Sequence, residues 1–349
     1  MSLSRKNVGL ITNQSFLTQD YIPSAYALRK RLGEALKCIL TPEHGWSGLI
    51  GEGIGIADGF DSHLDLPILS LYGKNKKFVP FITENNIDVI LIDLQDIGLR
   101  CYTYAATCAK FLEACAELPL EIIVCDRPNP LGLHQKGPLL DPDLRSILAY
   151  LDVPFQHGQT IGQLLTDFNQ TMGKPLSLTV LPCPPVHAPY QYPWTPPSPN
   201  LPSWESVLLY PALVLLEGVN VSEGRGTTLP FTSLGAPELD HYLLVEFLND
   251  TQSSIRARPI TFTPQSGKLK DKECQGAHLL VQDSSSLNAL SLGINVLRFL
   301  KENYASFEWT PMGSSPLPKG EESYFIDYLL GTASVRESLD NRDFETRAN

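Results

Sequence analysis

The sequence predicts an α/β fold in which a parallel β-sheet domain precedes a smaller C-terminal α+β domain. Apolar strand-like runs alternate with amphipathic helices over residues 7–181, which is typical of right-handed crossovers and a parallel sheet. Proline and aromatic residues then dominate positions 182–202. Proline fits neither the hydrogen-bonding pattern of a β-sheet nor the interior of a helix, so this stretch is predicted to be an extended linker. We therefore expect one domain over residues 1–185 and a second over 186–349 that begins with a proline-rich linker.

Strands are predicted where short apolar runs end in turn residues, and helices where apolar residues recur at helical spacing. The run at 87–94 is apolar and β-branched almost throughout, the pattern of a central strand covered on both faces. The other strands of the first domain are predicted at 7–13, 38–40, 66–71, 121–125 and 176–181, with helices at 22–36, 77–84, 103–117 and 161–172.

The second domain lacks this regular alternation. Helices are predicted at 205–216, 239–250 and 286–303, and strands at 260–264 and 277–281. This mixture indicates an α+β arrangement.

Polar side chains follow four of the predicted strands, at the point where each strand ends. In open α/β sheets the ligand crevice lies outside the carboxyl ends of the strands, so these side chains are candidates for a site. They are Asn13 after the first strand, Glu43, His44 and Glu52 after the second, Gln95, Asp96, Arg100, Tyr102 and Tyr104 after the central strand, and Arg127 and Asn129 after the strand at 121–125.

The loop that carries Glu43 and Glu52 reads P-E-H-G-W-S-G-L-I-G-E-G at 42–53. Its glycines allow the backbone to approach a ligand closely. They lack the spacing of a dinucleotide fingerprint and open no amphipathic helix, so we expect no nucleotide here.

Asp96 also has a purely structural interpretation. An acidic residue at the start of a helix can act as its cap, and Arg100 can pair with that cap. The density of polar and aromatic groups around Asp96 exceeds what a connection needs, which favours the ligand-binding interpretation.

Further candidates lie later in the chain. His157 precedes the predicted helix that Thr160 caps. In the turn E-G-V-N-V-S-E-G-R-G at 217–226, Asn220, Glu223 and Arg225 alternate with glycines, and such a turn can clamp a sugar or a carboxylate. A surface ion pair between Glu223 and Arg225 is the alternative.

The composition limits the partners. The formal net charge of -11 disfavours nucleic acid and anionic membranes, which recruit Lys and Arg, so a small or neutral ligand fits better. Seven cysteines include neither a CxxC motif nor a Cys/His cluster with zinc spacing, and three of them fall on one predicted helical stripe, typical of core packing. We expect no metal, no cofactor and a reducing compartment.

No run is long enough to cross a membrane, and the first residues lack the apolar region of a signal peptide. A cytoplasmic location is therefore the default expectation, and a periplasmic or secreted one applies if a signal peptide has been removed. The sequence does not indicate an oligomeric state.

Five motifs of this chain occur, in the same order, in a known family: T-P-E-H-G at 41–45, D-L-Q-D-I-G-L-R-C-Y-T-Y at 93–104, D-R-P-N-P-L-G at 126–132, P-P-S-P-N-L-P at 196–202 and N-V-S-E-G-R-G-T-T-L-P-F at 220–231. The chain thus resembles the YbbC/NamZ-like family of exo-acting β-N-acetylmuramidases. The resemblance implies a Rossmann-like domain without nucleotide and a smaller C-terminal domain. It also implies an interdomain cleft that releases N-acetylmuramic acid from the non-reducing ends of peptidoglycan fragments.

Glycoside hydrolysis needs a protonated carboxylic acid beside the leaving oxygen and a second carboxylate that acts on water or on the anomeric carbon. Glu43 is our choice for the acid, with His44 orienting it, and Glu52 or Asp96 is the second carboxylate. Sugar stacking is predicted for Tyr102, Tyr104 and Trp46, and pairing with the lactyl carboxylate for Arg100, Arg127 or Arg225. The remaining substrate-binding candidates are Asn13, Gln95, Asn129, His157, Asn220 and Glu223.

Two other functions are compatible with the same residues. A sugar-binding protein would use such a cleft without cleaving the ligand, and a transferase would share the fold. Only an enzyme requires a carboxylate whose removal abolishes turnover while binding largely survives.

Overall fold

A computed structural model of the chain describes residues 3, 5–18, 20–51, 53–73, 77–183, 194–312 and 323–341. The chain divides into two compact units. The first comprises Met1–Gly98, Tyr102–Leu133 and Gly158–Pro199, and the second comprises Leu99–Cys101, His134–His157 and Asn200–Asn349. The predicted boundary at 185/186 lies outside the described residues.

The first unit is built on a seven-stranded sheet with the order β3-β4-β2-β1-β5-β6-β7. Its strands are β1 (Val8–Ile11), β2 (Leu36–Thr41), β3 (Gly59–Asp61), β4 (Leu66–Ser70), β5 (Val89–Ile92), β6 (Glu121–Cys125) and β7 (Ser177–Leu181). All neighbours pair in parallel except β3 and β4, which are antiparallel. The predicted parallel α/β fold is therefore confirmed.

The predicted central strand is β5, which lies between β1 and β6 with all four of its residues buried. Apart from β3, the strand order is that of the doubly wound Rossmann sheet, and its switch point lies between β1 and β5. The helices of this unit are α1 (Ser24–Leu32), α2 (Phe78–Glu84), α3 (Thr103–Ala114) and α4 (Ile161–Thr171).

Helix α3 is buried along most of its length, because most of its residues are small or apolar, and it packs against α4. Cys108 lies within it, and Cys101 and Cys115 flank it, and all three thiols are buried as core residues. All seven cysteines lie in the described ranges, and none of them forms a disulfide.

The second unit contains a three-stranded antiparallel sheet with the order β8-β10-β9. Its strands are β8 (Ser233–Ala236), β9 (Ile255–Phe262) and β10 (Cys274–Val281), and its helices are α5 (Trp204–Leu213), α6 (His241–Thr251), α7 (Ala289–Asn303), α8 (Phe325–Leu330) and α9 (Ser334–Asn341). Strand β9 lies at the edge of this sheet, which accommodates Pro259 because proline has no backbone N–H to donate to a neighbouring strand.

Four elements escaped prediction: β3, β8, α8 and α9. Each is too short for a clear hydrophobic period, and β3 exposes its central Phe60. Residues 134–157 also belong to the second unit although they precede α4, which no change in composition signals.

Within the described part of the chain, no helix combines the length and apolarity that a bilayer crossing requires.

Candidate active site at the carboxyl edge of the sheet

The parallel pairing places the ends of β1, β2, β5 and β6 at one edge of the sheet. The loops that carry Asn13, Glu43, Asp96 and Arg127 follow these four strands, so all four residues lie at this edge, as predicted. A candidate site can therefore be built from the first unit alone.

Glu43 is a closely held carboxylate at this edge. Its side chain is buried, with 8% of the residue exposed. The Gly53 amide donates to Oε1 at 2.8 Å, and the Thr103 hydroxyl donates to Oε2 at 2.6 Å. The Tyr72 hydroxyl also interacts with the carboxylate.

Tyr72 remains protonated across the working pH range of proteins. Burial raises the pKa of its phenol, and the charge of Glu43 and the hydrogen bond to it raise it further. Tyr72 is therefore a hydrogen-bond donor to Glu43, and it is unsuited to act as a base or nucleophile near neutral pH.

The loop after β2 makes a sharp turn directly after Glu43. His44 has a φ of 73° and Gly45 a φ of 77°, both in the left-handed region. The His44 ring contacts the Ile50 carbonyl through Nδ1 at 2.8 Å, and because a carbonyl only accepts, Nδ1 carries the proton. His44 thus closes the loop that presents Glu43.

Position 48 of this loop favours glycine. A Cβ there would lie 2.2 Å from the Gln14 side chain, and the φ of 65° is unfavourable for other residues. Gln14 in turn donates to the Pro196 carbonyl at 3.3 Å. The loop after β1 is therefore packed between the Glu43 loop and the proline-rich segment.

Asn13 and Tyr104 anchor that segment at the switch point of the sheet. Both donate to the Pro197 carbonyl, Asn13 Nδ2 at 2.9 Å and the Tyr104 hydroxyl at 2.6 Å. Tyr104 is fully buried and its ring packs on Tyr102 at 4.6 Å between centroids, so stacking of Tyr104 on a sugar was a wrong expectation. Tyr102 is also buried.

Asp96 is buried within the loop after β5. Its Oδ1 accepts from the Gly98 amide at 2.6 Å, which makes a local turn. Helix α3 begins only at Thr103 and has no side-chain cap, so the capping interpretation of Asp96 was wrong. Gln95 donates to the carbonyls of Asp96 and Pro128 and links the loops after β5 and β6.

Arg127 pairs with Asp93, the first residue after β5. Both Nε and Nη2 donate to Asp93 Oδ1, at 2.9 and 2.6 Å, and the guanidinium lies over the Phe16 ring. The Arg127 side chain keeps 29% of its surface exposed. Asn129 links Gln159 and Leu131 through hydrogen bonds and so shapes the adjacent loop.

One aromatic candidate, Trp46, and one carboxylate candidate, Glu52, remain. Trp46 is half-buried, and its Nε1 donates to Asp61 at 2.8 Å. Glu52 lies outside the described residues.

Arg100 belongs to the second unit and has a structural role there. Its guanidinium donates to the carbonyls of Pro138, Val153 and Leu330, and burial lowers its pKa to about 10. The sequence-based pairing of Arg100 with a lactyl carboxylate was therefore wrong, because three carbonyls already surround this guanidinium.

The other second-unit candidates are also held within that unit. Asn220 bridges Ser306 and Glu308 through its side-chain amide. His157 is buried, with 1% exposed.

Glu223 and Arg225 form part of a largely buried charge cluster, which also includes Glu217 and Lys268 and keeps between 3% and 25% of each side chain exposed. Arg225 donates to Glu223 at 2.9 Å and to Glu217 at 2.6 Å, and Lys268 lies 3.5 Å from Glu223. The pair is thus an ion pair, but a buried one, which corrects both the exposed clamp and the surface pair expected from the sequence. The two carboxylates already neutralise the guanidinium.

Sequence reasoning missed Thr103, Tyr72, Asp93 and Lys268. Thr103 and Asp93 stand inside the quoted motif at 93–104, so their position was a usable signal. Tyr72 follows β4 at the same edge, and only the unpredicted strand order brings it to Glu43. Across the described ranges, no cluster of His, Cys, Asp and Glu has the grouping that a metal ion needs.

Two family models match the chain. The N-terminal model of the exo-beta-N-acetylmuramidase NamZ family matches residues 8–205, and the C-terminal model matches residues 208–347. The peptidoglycan beta-N-acetylmuramidase NamZ of Bacillus subtilis (strain 168) is 35% identical over 347 residues, which cover 97% of this chain and 81% of that protein.

Two solved structures are also similar, both of DUF1343 family proteins from Bacteroides fragilis. The first has a TM-score of 0.83 and 29% identity, and the match covers 98% of this chain and 88% of that one. The second has a TM-score of 0.72 and 27% identity, with coverages of 99% and 88%. Together with the two matched models, these similarities show that the chain belongs to the NamZ family of exo-β-N-acetylmuramidases.

Proposed function

We propose that this chain releases N-acetylmuramic acid from the non-reducing ends of peptidoglycan fragments, with Glu43 as general acid and Asp96 as second carboxylate. The observation that carries the proposal is the Glu43 carboxyl, buried at the carboxyl edge of the sheet and fixed by Gly53 and Thr103. The chain is an enzyme, a glycoside hydrolase of the exo-β-N-acetylmuramidase kind.

The proposed reaction transfers one proton and breaks one glycosidic bond. Glu43 gives its proton to the glycosidic oxygen as the bond from the anomeric carbon to that oxygen breaks, and the bonding electrons leave with the oxygen. A carboxylate on Asp96 either attacks the anomeric carbon or removes a proton from the attacking water. In both roles Asp96 acts as a carboxylate, and its Oδ1 accepts from the Gly98 amide.

Arg127 is our choice for the lactyl carboxylate of muramic acid. It is a cation at the same edge as Glu43 and keeps part of its side chain exposed, whereas Arg225 is enclosed by two carboxylates. A guanidinium can hold one carboxylate through Nε and Nη2 and still offer its three other N–H donors to another. The net charge of -11 supports a saccharide rather than a nucleic acid as partner.

The test is incubation of the protein with a disaccharide that carries N-acetylmuramic acid at its non-reducing end, and separately with a chromogenic N-acetylmuramide. Released sugar is identified by mass. Free N-acetylmuramic acid from both substrates supports the proposal. Tight binding without release would instead support the sugar-binding alternative.

We predict that metal removal leaves activity unchanged. Acid–base catalysis by two carboxylates needs no Lewis acid, and a metal-dependent mechanism would require a cation within reach of the scissile bond. The measurement is the rate on the chromogenic substrate before and after dialysis against EDTA. Loss of activity that a divalent cation restores would contradict the prediction.

A further inference from the structure

We propose that Thr103 is a positioning residue for Glu43 in catalysis, because its hydroxyl donates to Oε2 most strongly once the proton has left. The inference rests on the proposed role of Glu43 as general acid. Thr103 is the first residue of α3, and its hydroxyl lies 2.6 Å from Glu43 Oε2.

The contacts of Glu43 distinguish its two oxygens. Oε1 accepts from the Gly53 amide, and a backbone N–H can only donate, so this contact favours Oε1 as the oxygen without the proton. Oε2 contacts a hydroxyl, which tolerates either protonation state of its partner. We therefore assign the catalytic proton to Oε2.

The Thr103 hydrogen bond then changes in strength during the reaction. A protonated carboxyl oxygen is a weak acceptor, whereas a carboxylate oxygen forms a short, charge-assisted bond of roughly twice the strength. As the proton moves from Oε2 to the glycosidic oxygen, negative charge develops on Oε2 and the Thr103 bond strengthens. An interaction that is stronger in the transition state than in the ground state raises kcat.

The amino end of α3 also favours the negative charge that develops on Glu43 during the reaction. Its N-cap, Tyr102, offers no side-chain cap, and the side chain of Thr103 is directed to Glu43. The developing carboxylate thus forms at the positive end of a helix of 12 residues, which favours negative charge. Tyr72 supplies a further donor. Burial raises the pKa of its phenol, and the nearby Glu43 raises it further, so the phenol keeps its proton.

The test compares two substitutions at one position. Thr103→Val removes the hydroxyl with little change in shape, and Thr103→Ser keeps it. We expect the valine variant to lose about tenfold in kcat on the natural disaccharide, and the serine variant to stay within about threefold of the wild type. KM should stay within about twofold for both, because the bond matters mainly in the transition state.

Two controls separate this effect from a structural one. Thr107→Val makes the same change one turn later on α3, at another buried threonine, and should leave kcat unchanged. In the double variant Glu43→Gln/Thr103→Val, the second change should add nothing, because the proton that Thr103 assists is already absent. Equal losses for the valine and serine variants, or additive losses in the double variant, would overturn the proposal.

A spectroscopic measurement tests the contact independently of turnover. The carboxylate stretch of Glu43, isolated at an alkaline pH that ionises this group as the infrared difference between the wild type and Glu43→Gln, should shift in Thr103→Val and not in Thr103→Ser. If the wild type fails to release N-acetylmuramic acid but this shift is observed, the proposed function fails and the contact stands. If the wild type is active and neither the shift nor the rate effect occurs, the role of Thr103 is refuted alone.

Discussion

Glu43→Gln is expected to slow the release of N-acetylmuramic acid from a natural disaccharide by about a hundredfold or more. Glutamine keeps the shape of the side chain and can still accept from Gly53 through its amide oxygen. It has no acidic proton to give to the leaving oxygen. The sugar alkoxide must then leave unprotonated, which is the source of the loss.

The leaving group provides the sharpest test of this role. An activated aryl leaving group is stable as an anion and needs little protonation, so the loss should be much smaller on an aryl N-acetylmuramide if bond cleavage limits the rate. Initial rates of one variant on both substrates measure the difference. Glu84→Gln, at the exposed end of α2, is the matched control and should behave like the wild type. Near-normal rates of Glu43→Gln on both substrates would remove Glu43 from the mechanism.

Asp96→Asn should give the contrasting pattern. A nucleophile or base is needed whatever the leaving group, so its loss should slow both substrates to a similar extent. Folding is checked by circular dichroism, because Asp96 also holds the turn at Gly98. A large dependence of the Asp96→Asn rate on the leaving group would exchange the two roles and make Asp96 the acid.

The elements with long apolar patterns could be predicted from the sequence, and those set by tertiary pairing could not. The strand at 121–125 was predicted with its observed bounds, because five consecutive residues between turn signals leave little choice. Strand β3 exists only because Gly59–Asp61 pairs with the edge of β4, and its Phe60 is 60% exposed. No local pattern distinguishes such a segment from a loop.

The same division applies to the candidate site. Glu43 and Asp96 could be assigned to one edge because parallel topology fixes where strands end. The roles of the arginines could not be assigned, because the groups that bury them are distant in sequence: the carbonyls around Arg100 come from Val153 and Leu330, among others. The sequence alone therefore does not distinguish an arginine that binds substrate from one whose guanidinium is bound by other groups of the protein.

The buried charge cluster of Glu217, Glu223, Arg225 and Lys268 is expected to control the stability of the second unit. Arg225 is the only one of its cations that contacts both carboxylates at hydrogen-bond distance, and its guanidinium also lies over the Phe231 ring. Lys268 donates to the carbonyls of Leu216, Val219 and Val221 as well. Removing Arg225 leaves two buried carboxylates with one cation that is already shared.

Arg225→Met should therefore destabilise the protein by about 3–5 kcal/mol, the usual cost of breaking a buried ion pair from one side. Urea unfolding followed by tryptophan fluorescence measures the change. Arg258→Met, at an exposed position on edge strand β9, is the matched control and should change stability by less than about 0.5 kcal/mol. A loss of that small size for Arg225→Met would show that the cluster is solvated rather than structural.

The two carboxyls of the cluster contribute to stability in opposite pH ranges. Burial alone would raise the pKa of Glu223, but the charges of Lys268 and Arg225 outweigh it and hold that pKa below its ordinary value. Glu223 thus contributes stability above its unfolded pKa, which is lost as pH falls through its folded pKa. Burial raises the pKa of Glu217 despite Arg225, so its contribution is present at low pH and is lost as pH rises through its folded pKa.

Without Arg225 the pKa of both carboxyls must rise, because the cation that favours their charged forms is gone. Protonation then relieves the cluster in acid, so Arg225→Met should lose more stability at about pH 8 than at about pH 5. Adding Glu217→Gln removes one of the two uncompensated charges and should recover part of the loss at the higher pH. If Glu217→Gln recovers nothing and the loss is the same at both pH values, the missing packing against Phe231, and not charge, accounts for the instability.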